Sequence, residues 1–207
     1  MNLKFLPAAV LGLLVSTTAA QDNNADTTTD TDTNAPVITD NEPLSFHHAS
    51  LLKKENTTVY GAITITTRRE SAAVQVDVSI GGIPEGEYLN YHIHASRVPD
   101  DGNCYLTGAH LDPHGRGQEP PCTITAPQTC EVGDLSGKHG PAWAPAGEEF
   151  RATYSDFFLA NTPGDEAYYG DLSWVVHGSN GDRLTCGNFD GFSGGGFGNW
   201  GAQKSKA

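Results

Sequence analysis

The sequence predicts an all-β protein, a sandwich or barrel with one long loop stapled by disulfides. Composition points there first: 24 glycines and 12 prolines stand among 207 residues, and the long Ala, Leu, Glu and Lys runs of a coiled coil or helical bundle are missing. Apolar and polar residues alternate at period two in several short stretches, the pattern of half-buried strands. Turn signals such as Gly81-Gly82, Pro84-Glu85-Gly86 and Asn180-Gly181-Asp182 separate those stretches. At 37% hydrophobic the chain can build a core of its own.

Residues 1–20 read as a secretory signal peptide. Lys4 supplies the positive start, an apolar run extends from Phe5 to Val15, and Thr18, Ala19 and Ala20 form a small-residue cleavage site. The apolar part is too short to span a bilayer. Residues 21–42 hold six acidic residues and no basic one, so they are expected to form a disordered, solvated leader. Asn56-Thr57-Thr58 is an N-glycosylation acceptor.

The body, residues 43–190, carries the strand pattern. Residues 59–66 and 73–80 alternate, and residues 88–94, 149–158 and 172–177 are further candidates. No helix is expected. Residues 95–145 are strand-poor, and a loop of that length in a compact domain is functional or tied down. Residues 191–207 form a glycine-rich tail whose two glycine motifs lack the strand and helix that a hydrolase elbow or dinucleotide site needs. No lipid or membrane anchor is expected.

The formal charge of −13 argues against nucleic acid as a partner, because phosphate contacts need clustered cations. The oligomeric state is not legible, and a monomer is compatible with the sequence. All four cysteines lie in the secreted part and are expected to be oxidised. Three pairings are open. Cys122 with Cys130 would close a local loop, leaving Cys104 with Cys186 to clamp the long loop to the last strand. A zinc thiolate site lacks any C-x-x-C pair.

His92-Ile93-His94 is the sharpest local feature. Residues two apart on a strand share a face, so both imidazoles can reach one ion. His177 ends another apolar strand, Trp174-Val175-Val176-His177. An all-imidazole site suits a redox copper, or zinc where no redox change is needed. For His47, His48 and His139, surface or loop hydrogen bonding is the default.

Five segments in register, Tyr91-His92-Ile93-His94, Gly108-Ala109-His110-Leu111-Asp112-Pro113, Val132-Gly133-Asp134-Leu135, Val175-Val176-His177 and Arg183-Leu184-Thr185-Cys186-Gly187, resemble the Cu/Zn superoxide dismutase family across roughly residues 45–190. The resemblance implies an immunoglobulin-like Greek-key β-sandwich. It implies His92, His94, His110 and His177 as copper ligands, a Cys104–Cys186 disulfide, and Arg183 as the guide for an anionic substrate, superoxide. His110 is the ring it implies as a proton donor.

Two departures point to a particular branch. Glu131 stands where the two-metal enzymes place a zinc-binding His before Val132-Gly133-Asp134, and only residues 178–182 separate His177 from Arg183. Both are similar to the secreted copper-only superoxide dismutases of fungi and oomycetes. The resemblance then implies one copper and no zinc, with Glu131 and Asp134 supporting the ligands; a carboxylate on the far N–H of His110 would fix its tautomer. The expected activity is disproportionation of superoxide to oxygen and hydrogen peroxide by a secreted protein. Two alternatives stay open: a copper-storage module without turnover, and a two-metal enzyme with zinc on His110, His114, Glu131 and Asp134.

Overall fold

A computed structural model describes residues 33–193. The expected signal peptide, most of the leader and the tail beyond residue 193 lie outside the described residues. Among the described residues, eight strands form two antiparallel sheets. The larger contains β1 (Phe46–Ser50), β2 (Tyr60–Thr67), β3 (Val74–Gly81), β5 (Phe150–Asp156) and β8 (Asp190–Phe192), in the order β5-β3-β2-β1-β8. The smaller contains β4 (Asn90–His94), β6 (Ser173–His177) and β7 (Arg183–Asn188), in the order β4-β6-β7. The chain changes sheet at β3–β4, β4–β5, β5–β6 and β7–β8, which makes the architecture a sandwich rather than two hairpin domains.

Period two decides what each sheet buries. In β3, Val74, Val76, Val78 and Ile80 turn inward and meet Ile63 and Ile65 of β2. From the smaller sheet, Tyr91 and Ile93 of β4 and Trp174 and Val176 of β6 enter the same core. Each fully buried apolar side chain of this size stabilises by about 1.5–3 kcal/mol. β6 is buried at all five positions, because its other face is covered as well. There Val175 packs with Val98, Cys104 and Cys186, beneath the long loop that begins after β4. The Cys104–Cys186 disulfide, with Cα atoms 5.7 Å apart, ties that loop to β7. A second disulfide joins Cys122 to Cys130 within the loop.

The structure corrects several boundaries. Residues 33–42, assigned above to the disordered leader, include a segment packed on the body. Ala35 N–H donates to the Gln128 carbonyl, and Ile38 N–H to that of Phe157. The Asn41 amide donates to the carbonyls of Ala72 and Leu159. These hydrogen bonds, with Ala35 buried in the core and Ile38 packed against it, hold this stretch. Gly191 and Phe192, placed above in the tail, belong to β8 and pair with His47 and Phe46. β1 escapes the alternation pattern because its two inward positions are His47 and Ala49. The expectation of no helix misses α1 (Leu135–His139), a single turn too short for helical periodicity and capped by the Asp134 side chain on Gly137 N–H. His47, expected on the surface or in a loop, is 2% exposed, held edge-on against Tyr169.

Candidate metal centre

The same alternation builds the site. Tyr91 and Ile93 face the core, so His92 and His94 project from the opposite face of β4. On β6, Trp174 and Val176 face the core, which sends Val175 and His177 to that same outer face. A register shift between Val176 and His177 bends the strand at its end, as bulges do beside functional sites. His110 arrives on the long loop. Ala95 N–H donates to the Ala109 carbonyl and Leu111 N–H to that of Ile93, laying the loop along the edge of β4. Next along this edge runs Gly133, whose N–H donates to Leu111 and whose carbonyl accepts from Ile93. A Cβ at Gly133 would stand 2.4 Å from the Ile93 carbonyl oxygen, so only glycine permits this approach.

His92, His94, His110 and His177 each offer one ring nitrogen, and these four atoms lie within 4.8 Å of one another. Their other nitrogens are occupied. His94 Nδ1 faces the Gly108 carbonyl at 3.1 Å and His177 Nδ1 the Gly181 carbonyl at 3.2 Å. Carbonyls only accept, so both Nδ1 atoms carry the proton and both Nε2 atoms present lone pairs. His110 Nδ1 donates to Glu131 Oε2 at 2.5 Å. The second-nitrogen partner of His92 is shared: Nε2 lies 3.1 Å from Ser136 Oγ and 3.3 Å from Asp134 Oδ1. His92 Nδ1 is buried with no hydrogen-bond partner among the described residues.

That inward atom is the fit test for a metal. A buried polar nitrogen without a partner is costly, and three further imidazoles aim lone pairs at the same space. Burial lowers the pKa of His92. Burial first, then the neighbouring His110 ring, pushes His94 down to about 2, and burial with the neighbouring His92 pushes His177 down to about 3. All three rings are therefore neutral near pH 7, the form that binds metals. An ion holding imidazole nitrogens at about 2 Å separates opposite ligands by about 4 Å, which this cluster accommodates. The donor set suits copper.

Arg183 lies at the rim. Its guanidinium donates to the Cys104 and Gly108 carbonyls and to Thr107 Oγ1, and it sits 5.7 Å from the Tyr105 ring centre. Its charge contributes to the lowered pKa of His94 and His177, so its field reaches the cluster. His114, offered above as a zinc ligand, faces Glu166 at 3.6 Å. With Glu131 on His110 and Asp134 capping α1, these side chains form no second metal-binding group among the described residues. Sequence reasoning missed Ser136, Gly108 and Gly181. The glycines act through backbone carbonyls, whose only trace in the sequence is the residue type: both adopt positive φ, 75° and 85°, which glycine permits. His139 stacks on Tyr154 and bonds Asp156.

No protein-family profile matches the chain. Curated relatives do. The chain is 51% identical over 100 residues to a cell surface Cu-only superoxide dismutase of Arthroderma benhamiae, covering 48% of this chain and 27% of that protein. It is 34% identical over 158 residues to cell surface Cu-only superoxide dismutase 5 of Candida albicans, covering 74% of this chain and 64% of that one. The matched region thus spans less than two thirds of these relatives' own length. The solved Cu(II) structure of the Candida albicans superoxide dismutase 5 superposes with a TM-score of 0.64 at 31% identity, covering 75% of this chain and 98% of that one.

Proposed function

The chain belongs to the copper-only branch of the superoxide dismutase family, and from that premise we propose that it is an extracellular superoxide dismutase using one copper ion and no zinc. The observation that carries the proposal is the four-imidazole cluster, whose inward nitrogens share one space while their outward nitrogens are held by carbonyls and carboxylates. His92 Nδ1 and the Nε2 atoms of His94, His110 and His177 would be the ligands. Copper bound there would supply a one-electron couple, taking an electron from one superoxide and returning it to a second.

The chain's own residues do the rest. Arg183, pinned by three hydrogen bonds, presents a fixed positive charge that draws an anion toward the cluster despite the acidic surface. Screening beyond about 8–10 Å at physiological salt lets this near charge outweigh the distant ones. Glu131 holds His110 at Nδ1, so that Nε2, whenever it is not serving as a ligand, would take up and release a proton for the peroxide product. The second proton comes from solvent. Asp134 and Ser136 hold His92.

Extracellular, cell-wall-associated placement is part of this proposal, with residues 1–20 as the signal peptide and the two-sheet body, extended to include residues 35–41 and β8, as the catalytic domain. It is supported by the cell surface naming of the relatives. Asn56 lies exposed in a turn, which suits its proposed glycosylation. The experiment is superoxide dismutation by the metal-stripped protein reloaded with copper while zinc is chelated. Full activity supports the proposal. Activity only after zinc is added supports a two-metal enzyme, and bound copper without turnover supports a storage module.

A further inference from the structure

Beneath the site lies a second polar cluster that the proposed chemistry does not use. Lys138 on α1 and Asp156 at the end of β5 have fully buried side chains, with Nζ 2.6 Å from Oδ2. Asp156 Oδ1 accepts from the backbone N–H groups of Phe158 and Leu159, and His139 Nε2 lies 2.9 Å from Oδ2. The Lys138 ammonium also donates to the Val132 carbonyl at 2.8 Å. That carbonyl belongs to the residue directly after Glu131 and two before Asp134.

We infer that the Lys138–Asp156 pair is a positioning device that sets the reach of Glu131 to His110 and of Asp134 to His92. The inference rests on the copper reading above. Apolar side chains of similar size would fill this interior at no desolvation cost, so two buried charges are a poor way to gain stability alone. What the pair supplies is direction. One ammonium joins the end of β5, rooted in the larger sheet, to a single carbonyl of the segment carrying both carboxylates. The rest of that segment has few apolar anchors: Val132 and Leu135 are its buried aliphatic side chains. The Cys122–Cys130 disulfide holds its start, and Lys138 holds its far end. His139 stacks on Tyr154, and Tyr154 bonds Tyr91, the neighbour of His92 in β4.

Copper affinity by chelator competition and the Cu(II) electron paramagnetic resonance spectrum test this in the full chain. Lys138→Met is expected to weaken copper binding about tenfold, the lower end for partners one step removed from a metal, and to alter the copper hyperfine coupling. Lys138→Met combined with Asp156→Asn removes both charges together and keeps an acceptor for Phe158 and Leu159. It is expected to shift affinity and spectrum in the same direction, and it replaces the single variant if that one fails to fold. A lower melting temperature with wild-type affinity and spectrum would overturn the inference and leave the pair purely structural. Wild-type protein that binds no copper would overturn the copper reading and this inference with it.

Discussion

The Nε2 atoms of His94 and His177 face each other at 3.1 Å, while the Nδ1 atoms of both rings donate to backbone carbonyls. Two lone pairs at that distance repel unless a proton or a cation lies between them. Burial disfavours the proton and holds both rings well below the usual histidine pKa. The arrangement therefore favours a metal ion, and metal binding should stabilise the fold. At free copper 100 times Kd, linkage adds about 2.7 kcal/mol, which for a chain of this size raises Tm by about 5 to 10 °C. Calorimetry of stripped and copper-loaded protein checks this; coincident melting curves would refute it.

Glu131 is expected to act on turnover more than on folding. Glu131→Ala should lower dismutation about 10- to 100-fold, the usual cost of removing a ligand's hydrogen-bond partner, with a small change in Tm. Glu131→Gln should retain more activity than the alanine variant, because its amide oxygen still accepts from His110 Nδ1. Equal proportional losses of activity and thermal stability would show Glu131 to be a scaffold residue.

Arg183 should govern the salt dependence. Arg183→Ala is expected to slow dismutation and flatten its decline with ionic strength, while copper stays bound. Arg183→Lys keeps the charge and should keep the slope, although it loses the fixed fork that holds Cys104, Thr107 and Gly108. Rates measured between low and high salt decide it. An unchanged slope in the alanine variant would remove the guidance role.

A group outside the metal centre, His47, is expected to add acid sensitivity. Burial pushes His47 from 6.5 down to about 4, against the opposing charge of Asp171. Between those values the unfolded chain binds a proton that the folded chain does not, so stability falls as pH drops from 6.5 toward 4, and this group costs nothing further below that. His47→Gln should flatten that limb of the Tm-against-pH curve relative to wild type. Parallel curves across the window would assign the acid sensitivity elsewhere.

Much was legible from residue order. Alternation in β2 and β3 gave strands to within a residue, and the spacing of His92 and His94 put both rings on one face, because a strand's side-chain period is two. Short β1, with histidine and alanine inward, and single-turn α1 had no periodic signal to read. Residues 33–42 looked solvated because acidic, Thr and Asn residues dominate them, yet backbone and Asn41 hydrogen bonds, burial of Ala35 and packing of Ile38 against the core fix them in place.

Local sequence therefore determined the all-β class and the face of each strand. The tertiary structure decided the rest. His94 and His177 are 83 residues apart, and only the pairing of β4 with β6 brings them together. Which nitrogen of each ring is free depends on the carbonyls of Gly108 and Gly181, and the reach of Glu131 on a lysine and an aspartate from different elements. Period and charge are properties of neighbouring residues. Convergence and tautomer are set by groups that only the folded chain places within hydrogen-bond distance.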